Sequence, residues 1–247
     1  MENALLIGLT RQIALRRQMN VVANNLANVN TAGFKADSTH FKEYLMPVAQ
    51  ITDQRGADRI LSYVNDSGLV RDFAEGSMVK TGKDLHVALS GDGWLVVGTP
   101  DGERYTRNGE LTLNSEGVIV TNEGLPVLGD GGEITIGLNE SGLQIAKDGT
   151  ISTDTGLKGD LRIVKFAKNA ALKKEGASLY ATDQAPEDAP DATVVQGMIE
   201  KSNVKAISEL TTMVETVRAY TSVAQTLQRL QQLRQDAISK LSGVDNS

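Results

Sequence analysis

The chain has 247 residues, 40% of them apolar and 23% charged, with 24 glycines, five prolines and only 4% aromatics. That length buries the core of one large domain or two modest ones, filled by Leu, Val, Ile and Ala rather than by rings. The absence of cysteine excludes a disulfide framework, thiol catalysis and Cys-ligated zinc.

The net charge of −6 is unevenly spread. Residues 1–30 carry +2 (Arg11, Arg16 and Arg17 against Glu2) and residues 192–247 carry +1, which leaves −9 in the middle. Phosphate binding needs a clustered basic face, so nucleic acid is not the expected partner. The apolar run Leu5-Leu6-Ile7-Gly8-Leu9 is ended by Thr10-Arg11-Gln12 and is too short for a signal peptide. No run approaches the roughly 20 apolar residues that span a bilayer. The expectation is a chain without membrane insertion and without a conventional leader.

In chain order, a helix is predicted over about residues 3–29. Its seam, with alternating three- and four-residue spacing, runs Leu5, Gly8, Gln12, Leu15, Met19, Val22, Leu26, Val29. Such a stripe seeks burial against another helix. Asn24, Asn25, Asn28 and Asn30 fall at the end of this helix, although Asn is a mediocre helix former. They are either a frayed polar turn or a face of amides that bonds a neighbouring subunit or a returning loop, and spacing does not decide between these. Gly33 suits the left-handed position after a helix, and Phe34 is placed to fold back onto the last apolar turn.

Residues 36–75 read as a connector. His40, Phe41, Tyr44, Leu45 and Met46 form a short amphipathic piece, residues 55–59 a turn and residues 60–64 a strand. From Gly76 the pattern is β, with turn signals every eight to twelve residues, as in an all-β sandwich or barrel-like module. Strands are predicted at 85–89, 94–97, 103–106, 110–113, 117–120, 125–128, 134–136, 143–146 and 161–166. Trp94, the sole tryptophan, reads as a core anchor, and Ala185-Pro186-Glu187-Asp188-Ala189-Pro190 as an acidic hinge. Ser202 or Asn203 is placed to cap a last helix running to about Leu241. That helix is on the order of 60 Å long, too long for a small β domain to cover. Its seam runs Leu210, Met213, Val217, Tyr220, Ala224, Leu227, Gln231, Arg234, Ile238, Leu241.

The fold class is therefore α+β: N- and C-terminal helices pairing as a coiled-coil domain, with an all-β central domain. The segments are 1–35 with 197–247 for the helical part, 36–75 for the connector, and 76–196 for the β-rich part.

Nothing in this pattern is catalytic. His40 and His86 stand apart, and no His/Asp/Glu cluster has metal-ligand spacing. The Asp-Gly pairs at 92–93, 101–102, 130–131 and 148–149 lack the calcium-loop pattern and read as hairpin turns. A serine elbow, a phosphate loop and a dinucleotide fingerprint are all absent. No enzyme activity, metal or cofactor is expected.

Three blocks resemble one family, the flagellar rod and hook axial proteins. Residues Asn24-Asn25-Leu26-Ala27-Asn28-Val29-Asn30-Thr31-Ala32-Gly33-Phe34-Lys35 resemble its N-terminal signature. Gly91-Asp92-Gly93-Trp94, Tyr105-Thr106-Arg107-Asn108-Gly109 and Leu125-Pro126-Val127-Leu128-Gly129 resemble its β-domain motif. Gln196-Gly197, Ser202-Asn203-Val204 and the run Met213-Val214-Glu215-Thr216-Val217-Arg218-Ala219-Tyr220 resemble its C-terminal helix, except that Val217 stands where the family usually has Gln.

The resemblance implies a structural subunit of the basal-body rod, exported unfolded by the flagellar export apparatus without a cleaved leader. It implies helical polymerisation in the periplasmic span with other rod proteins and copies of itself. The terminal helices would line the tube and the β module would form the outer layer. The length and the opening Met1-Glu2-Asn3-Ala4-Leu5 fit a proximal-rod member, with a distal-rod member the competitor. The subunit interface is expected at the apolar residues of both seams together with Asn24, Asn25 and Asn28. Asn24, Asn28, Gln231 and Arg234 are candidates for fixing register. Less favoured readings are a surface-binding β module on a coiled-coil stalk and an enzyme on the β scaffold.

Overall fold

A computed structural model describes the backbone of residues 2–48, 59–137 and 139–242, and their side chains except at 2–4, 41–48, 59–67, 170 and 241–242. It is an α+β chain with a helix at each end, α1 (Glu2–Ala27) and α2 (Ala206–Ser242), around a β-rich middle. The chain divides into two units. One comprises residues 1–26, 37–70 and 206–247, and the other 27–36 and 71–205. Residues 55–58 of the turn expected at 55–59, and the side chain of Leu241, lie outside the described residues.

In the first unit α1 and α2 pair. Gly8 lets them approach closely, since a Cβ there would stand 2.5 Å from Leu227 Cδ2. The stretch read as a connector is instead a two-stranded sheet of Asp37–Val48 and Arg59–Arg71. It is tied to the end of α1 by Asn25. The Asn25 Nδ2 donates to Asp37 O (2.7 Å), and Asn25 Oδ1 accepts from Asp37 N (3.0 Å). A buried amide that imitates a strand neighbour satisfies both backbone groups. Asn25 thus bonds the returning chain, one of the two readings left open by the sequence.

The second unit is built on a six-stranded antiparallel sheet. Its order is Lys173–Glu175, Leu179–Ala181, Gly102–Thr106, Trp94–Thr99, Ile163–Lys165, Glu187–Asp188. Residues 94–97 are buried on both faces, so alternate side chains feed two cores. Leu95 joins Val87, Leu89, Ile119, Val127 and Ile151 on one side. Trp94 and Val96 join Tyr105, Val164, Phe166 and Tyr180 on the other. Trp94 meets Tyr180 edge-on, with ring centroids 4.8 Å apart, a favoured aromatic geometry. Smaller antiparallel pairs complete the unit, among them Thr193–Gln196 with Val87–Ser90 and Met198–Glu200 with Met78–Lys80.

Three local expectations are corrected. Residues 185–190 are not a hinge, because Glu187 and Asp188 pair with Lys165 and Val164 at the sheet edge. Neither Ser202 nor Asn203 caps α2, which starts at Ala206; the Asn203 amide bonds the second unit instead. Gly33 lies six residues past the end of α1. Its φ of +67° serves a tight turn, where a Cβ would run into the Arg107–Asn108 peptide.

Candidate functional site

Spacing alone placed one apolar seam on each helix, and the structure shows two stripes on each. On α2 the sheltered face carries Met213, Thr216, Tyr220, Val223, Leu227 and Leu230, again spaced alternately three and four apart. A second stripe, Ile207, Leu210, Val214 and Val217, is exposed. The two are about 120° apart around a helix that turns roughly 100° per residue. The seam read from the sequence ran between them. Met213, Tyr220, Ala224 and Leu227 are half-buried, whereas Leu210, Val217 and Ile238 face water. Residues 231–240, including Gln231 and Arg234, are all exposed.

On α1 the predicted seam holds together better. Leu5, Leu15, Met19, Leu26 and Val29 are half-buried and Val22 is buried. Its second stripe, which spacing missed, is Leu6, Leu9 and Ile13, each about half exposed. Asn24 is exposed, and Asn28 Oδ1 accepts from Thr31 Oγ1 at 3.2 Å. Between the helices lies an apolar groove lined by Ile7, Gly8, Arg11, Val223, Leu227 and Leu230, among others.

The second unit holds a feature with no apolar periodicity to reveal it. Lys35, Arg107 and Glu200, one from each family-like region of the sequence, converge in its interior. The Lys35 and Glu200 side chains are each 1% exposed and Arg107 is 4% exposed. Lys35 Nζ donates to Glu200 Oε1 (2.7 Å) and to Ala74 O (2.8 Å). Gly76 N donates to the same Oε1 (2.8 Å), and Arg107 Nη1 donates to Oε2 (3.3 Å). Arg107 Nη2 donates to Gly91 O, and Glu75 and Asp92 lie 3.9 and 4.0 Å from its guanidinium. The guanidinium carbon lies 5.6 Å from the centre of the Trp94 ring. Burial pushes the Lys35 ammonium below its usual range, against the pull of Glu200.

Backbone bonds close the same region. Gly33 N donates to Glu200 O (2.8 Å) and Asn203 N to Phe34 O (3.3 Å). Asn203 Oδ1 accepts from Ala36 N (2.8 Å), while its Nδ2 donates to Asp72 O and Ala74 O. Phe34 is fully buried, with the Lys174 ammonium 3.5 Å from its ring centre.

His86 sits apart from this network. It is buried, its Nδ1 has no partner among the described residues, and burial followed by Lys83 pushes its pKa below 6.5, with Glu110 opposing.

A coiled-coil pair with spare apolar stripes, in one chain with a β module, defines an assembly subunit, and comparison with known proteins names the assembly. Residues 5–35 match the model for the flagella basal body rod protein, and residues 88–153 that for the flagellar hook protein FlgE/F/G D1 domain. Residues 195–240 match the flagellar basal body rod FlgEFG protein C-terminal model. The chain is 39% identical to the flagellar basal-body rod protein FlgF of Caulobacter vibrioides, over 99% of this chain and 100% of that one. It is 28% identical to FlgF of Mesorhizobium japonicum, over 98% of each chain. It is 34% identical to the rod protein FlgG of Buchnera aphidicola subsp. Acyrthosiphon pisum, over 88% of this chain and 93% of that one. The chain belongs to the flagellar basal-body rod protein family and is most like FlgF. It is a structural rod subunit of the flagellar basal body.

Proposed function

We propose that this rod subunit polymerises through its terminal helices, whose outward stripes are covered by helices of neighbouring rod subunits and of its own copies. The carrying observation is the exposure of Leu6, Leu9 and Ile13 on α1 and of Ile207, Leu210, Val214 and Val217 on α2. These residues repeat at helical spacing on the side of each helix that the partner helix leaves open. Covering each exposed Leu, Ile or Val gains about 1 kcal/mol, so the seven side chains together outweigh most other surface terms. When one stripe seats on a different surface of the next copy, the contact propagates into an open helix rather than a closed pair.

The same reading takes the position to be the proximal rod, supported by matches to FlgF relatives that span nearly the whole chain. It takes the chain to be exported unfolded, without a cleaved leader, to the periplasmic span. A chain without cysteine suits that route, since no disulfide can trap it. The rod then transmits torque mechanically, and no catalysis is required of the subunit.

Leu210→Ser with Val214→Ser tests the reading, because both side chains are exposed in the single chain. The purified variant is expected to keep its helical circular dichroism and its Trp94 fluorescence. Cells carrying it should lose swimming motility, and isolated basal bodies should lack the subunit. Normal rods and normal swimming would overturn the proposal.

A further inference from the structure

We infer that the Lys35–Glu200–Arg107 network is a coincidence lock: the chain segments directly after α1 and directly before α2 dock on the β module only together. This goes beyond assembly through the helices and does not depend on it.

The geometry makes each segment incomplete without the other. Lys35 and Glu200 are 165 residues apart in sequence, yet among the described residues the carboxylate is the ammonium's only charged hydrogen-bond partner. Were residues 33–36 to dock first, the Lys35 ammonium, 1% exposed once both segments are in place, would keep the Ala74 carbonyl and lack its carboxylate. Were residues 198–203 to dock first, the Glu200 carboxylate would have Gly76 N and Arg107 but not Lys35, and the Glu200 backbone carbonyl would lack the Gly33 amide. The Asn203 Oδ1 would likewise lack the Ala36 amide. A buried ammonium without its carboxylate disfavours the first of these half-docked states by roughly 100- to 1,000-fold, and the second is short of one ion pair and two backbone-linked hydrogen bonds.

An apolar pair at the same two positions would impose no such condition, because each side chain would gain from burial alone. Charge therefore supplies conditionality here rather than net stability, in keeping with the modest net worth of buried ion pairs. The consequence is temporal. Residues 33–36 cannot commit to the β module until the chain is present past Glu200. The two segments are then fixed in one step.

Amide hydrogen exchange by mass spectrometry on the full-length protein tests the lock. Glu200→Gln is expected to speed exchange of residues 33–36 and 72–77 by roughly 100-fold, while strand Trp94–Thr99 keeps its protection. The double variant Lys35→Met with Glu200→Met removes the ammonium and its carboxylate together, and Arg107 keeps Gly91 O, Glu75 and Asp92 as partners. It is expected to return exchange at 33–36 and 198–203 to within roughly tenfold of the parent. Unchanged protection at 33–36 in Glu200→Gln would overturn the lock, as would a double variant exchanging as fast as the single one. If Glu200→Gln does not fold, the double variant decides alone. A folded double with protected ends upholds the lock, and an unfolded one refutes it.

Discussion

Gly8 is where the pairing of α1 and α2 can be measured most directly. A Cβ there would lie 2.5, 3.1 and 3.5 Å from Leu227 Cδ2, Cγ and Cδ1. Two terms compete when the site is filled. Replacing a helix-interior glycine by alanine gains about 1 kcal/mol of helix propensity. The new methyl meets the end of a flexible leucine, whose rotation off its preferred well costs on the order of 1 kcal/mol. Gly8→Ala should therefore stay within about 1 kcal/mol of the parent. Gly8→Leu pushes a branched side chain into the same gap, and overpacking of about 1–3 kcal/mol exceeds the propensity gain. At about 2–4 °C per kcal/mol for a chain of this size, the helical transition should fall by several degrees. Gly8→Leu with Leu227→Ala swaps the two volumes and should recover at least half of that loss. Thermal unfolding followed by far-ultraviolet circular dichroism reads all three variants. A Gly8→Leu melt equal to the parent's, or a double variant no better than Gly8→Leu, would show that Leu227 is not what α1 meets at Gly8.

Two further outcomes concern the β module. Gln196 braces three segments, with Nε2 donating to Asp84 O (2.9 Å) and Leu143 O (3.0 Å) and Oε1 accepting from Ile145 N (3.2 Å). Gln196→Ala leaves these groups unmatched and should cost about 2–3 kcal/mol in urea unfolding read by Trp94 fluorescence; a change below about 0.5 kcal/mol contradicts the brace. His86 predicts a pH dependence. Its folded-state pKa lies below 6.5, chiefly through burial, so below pH 6.5 the unfolded chain binds a proton that the folded one refuses. Stability should then fall as pH drops from 6.5 and be flat in this contribution above it. His86→Leu should have the shallower decline in urea midpoints between about pH 7 and 5, and parallel curves would refute the assignment.

What was legible in the sequence was periodicity and local turn chemistry. Alternation and Gly-Asp turns located the strands around Trp94 and Tyr105, and the long apolar repeats located both helices to within a few residues. Short strands such as Glu187–Asp188 escaped because two paired residues carry no period, and their hydrogen bonds come from a distant partner. On α2, one seam was read where two stripes run side by side. Any residue between two stripes lies three or four positions from members of both, and only the partner helix decides which side is sheltered.

The sequence by itself determined that this is a helix-flanked β chain of the rod family, because helix period, strand alternation and the family-like blocks are all local or linear signals. Tertiary structure alone decided that Lys35, Arg107 and Glu200 meet. A lone charge in sequence reads as a solvated surface residue, and nothing short of the fold can say that three of them share one dry site. It also decided which apolar stripe stays open, since exposure is a property of what the rest of the chain fails to cover.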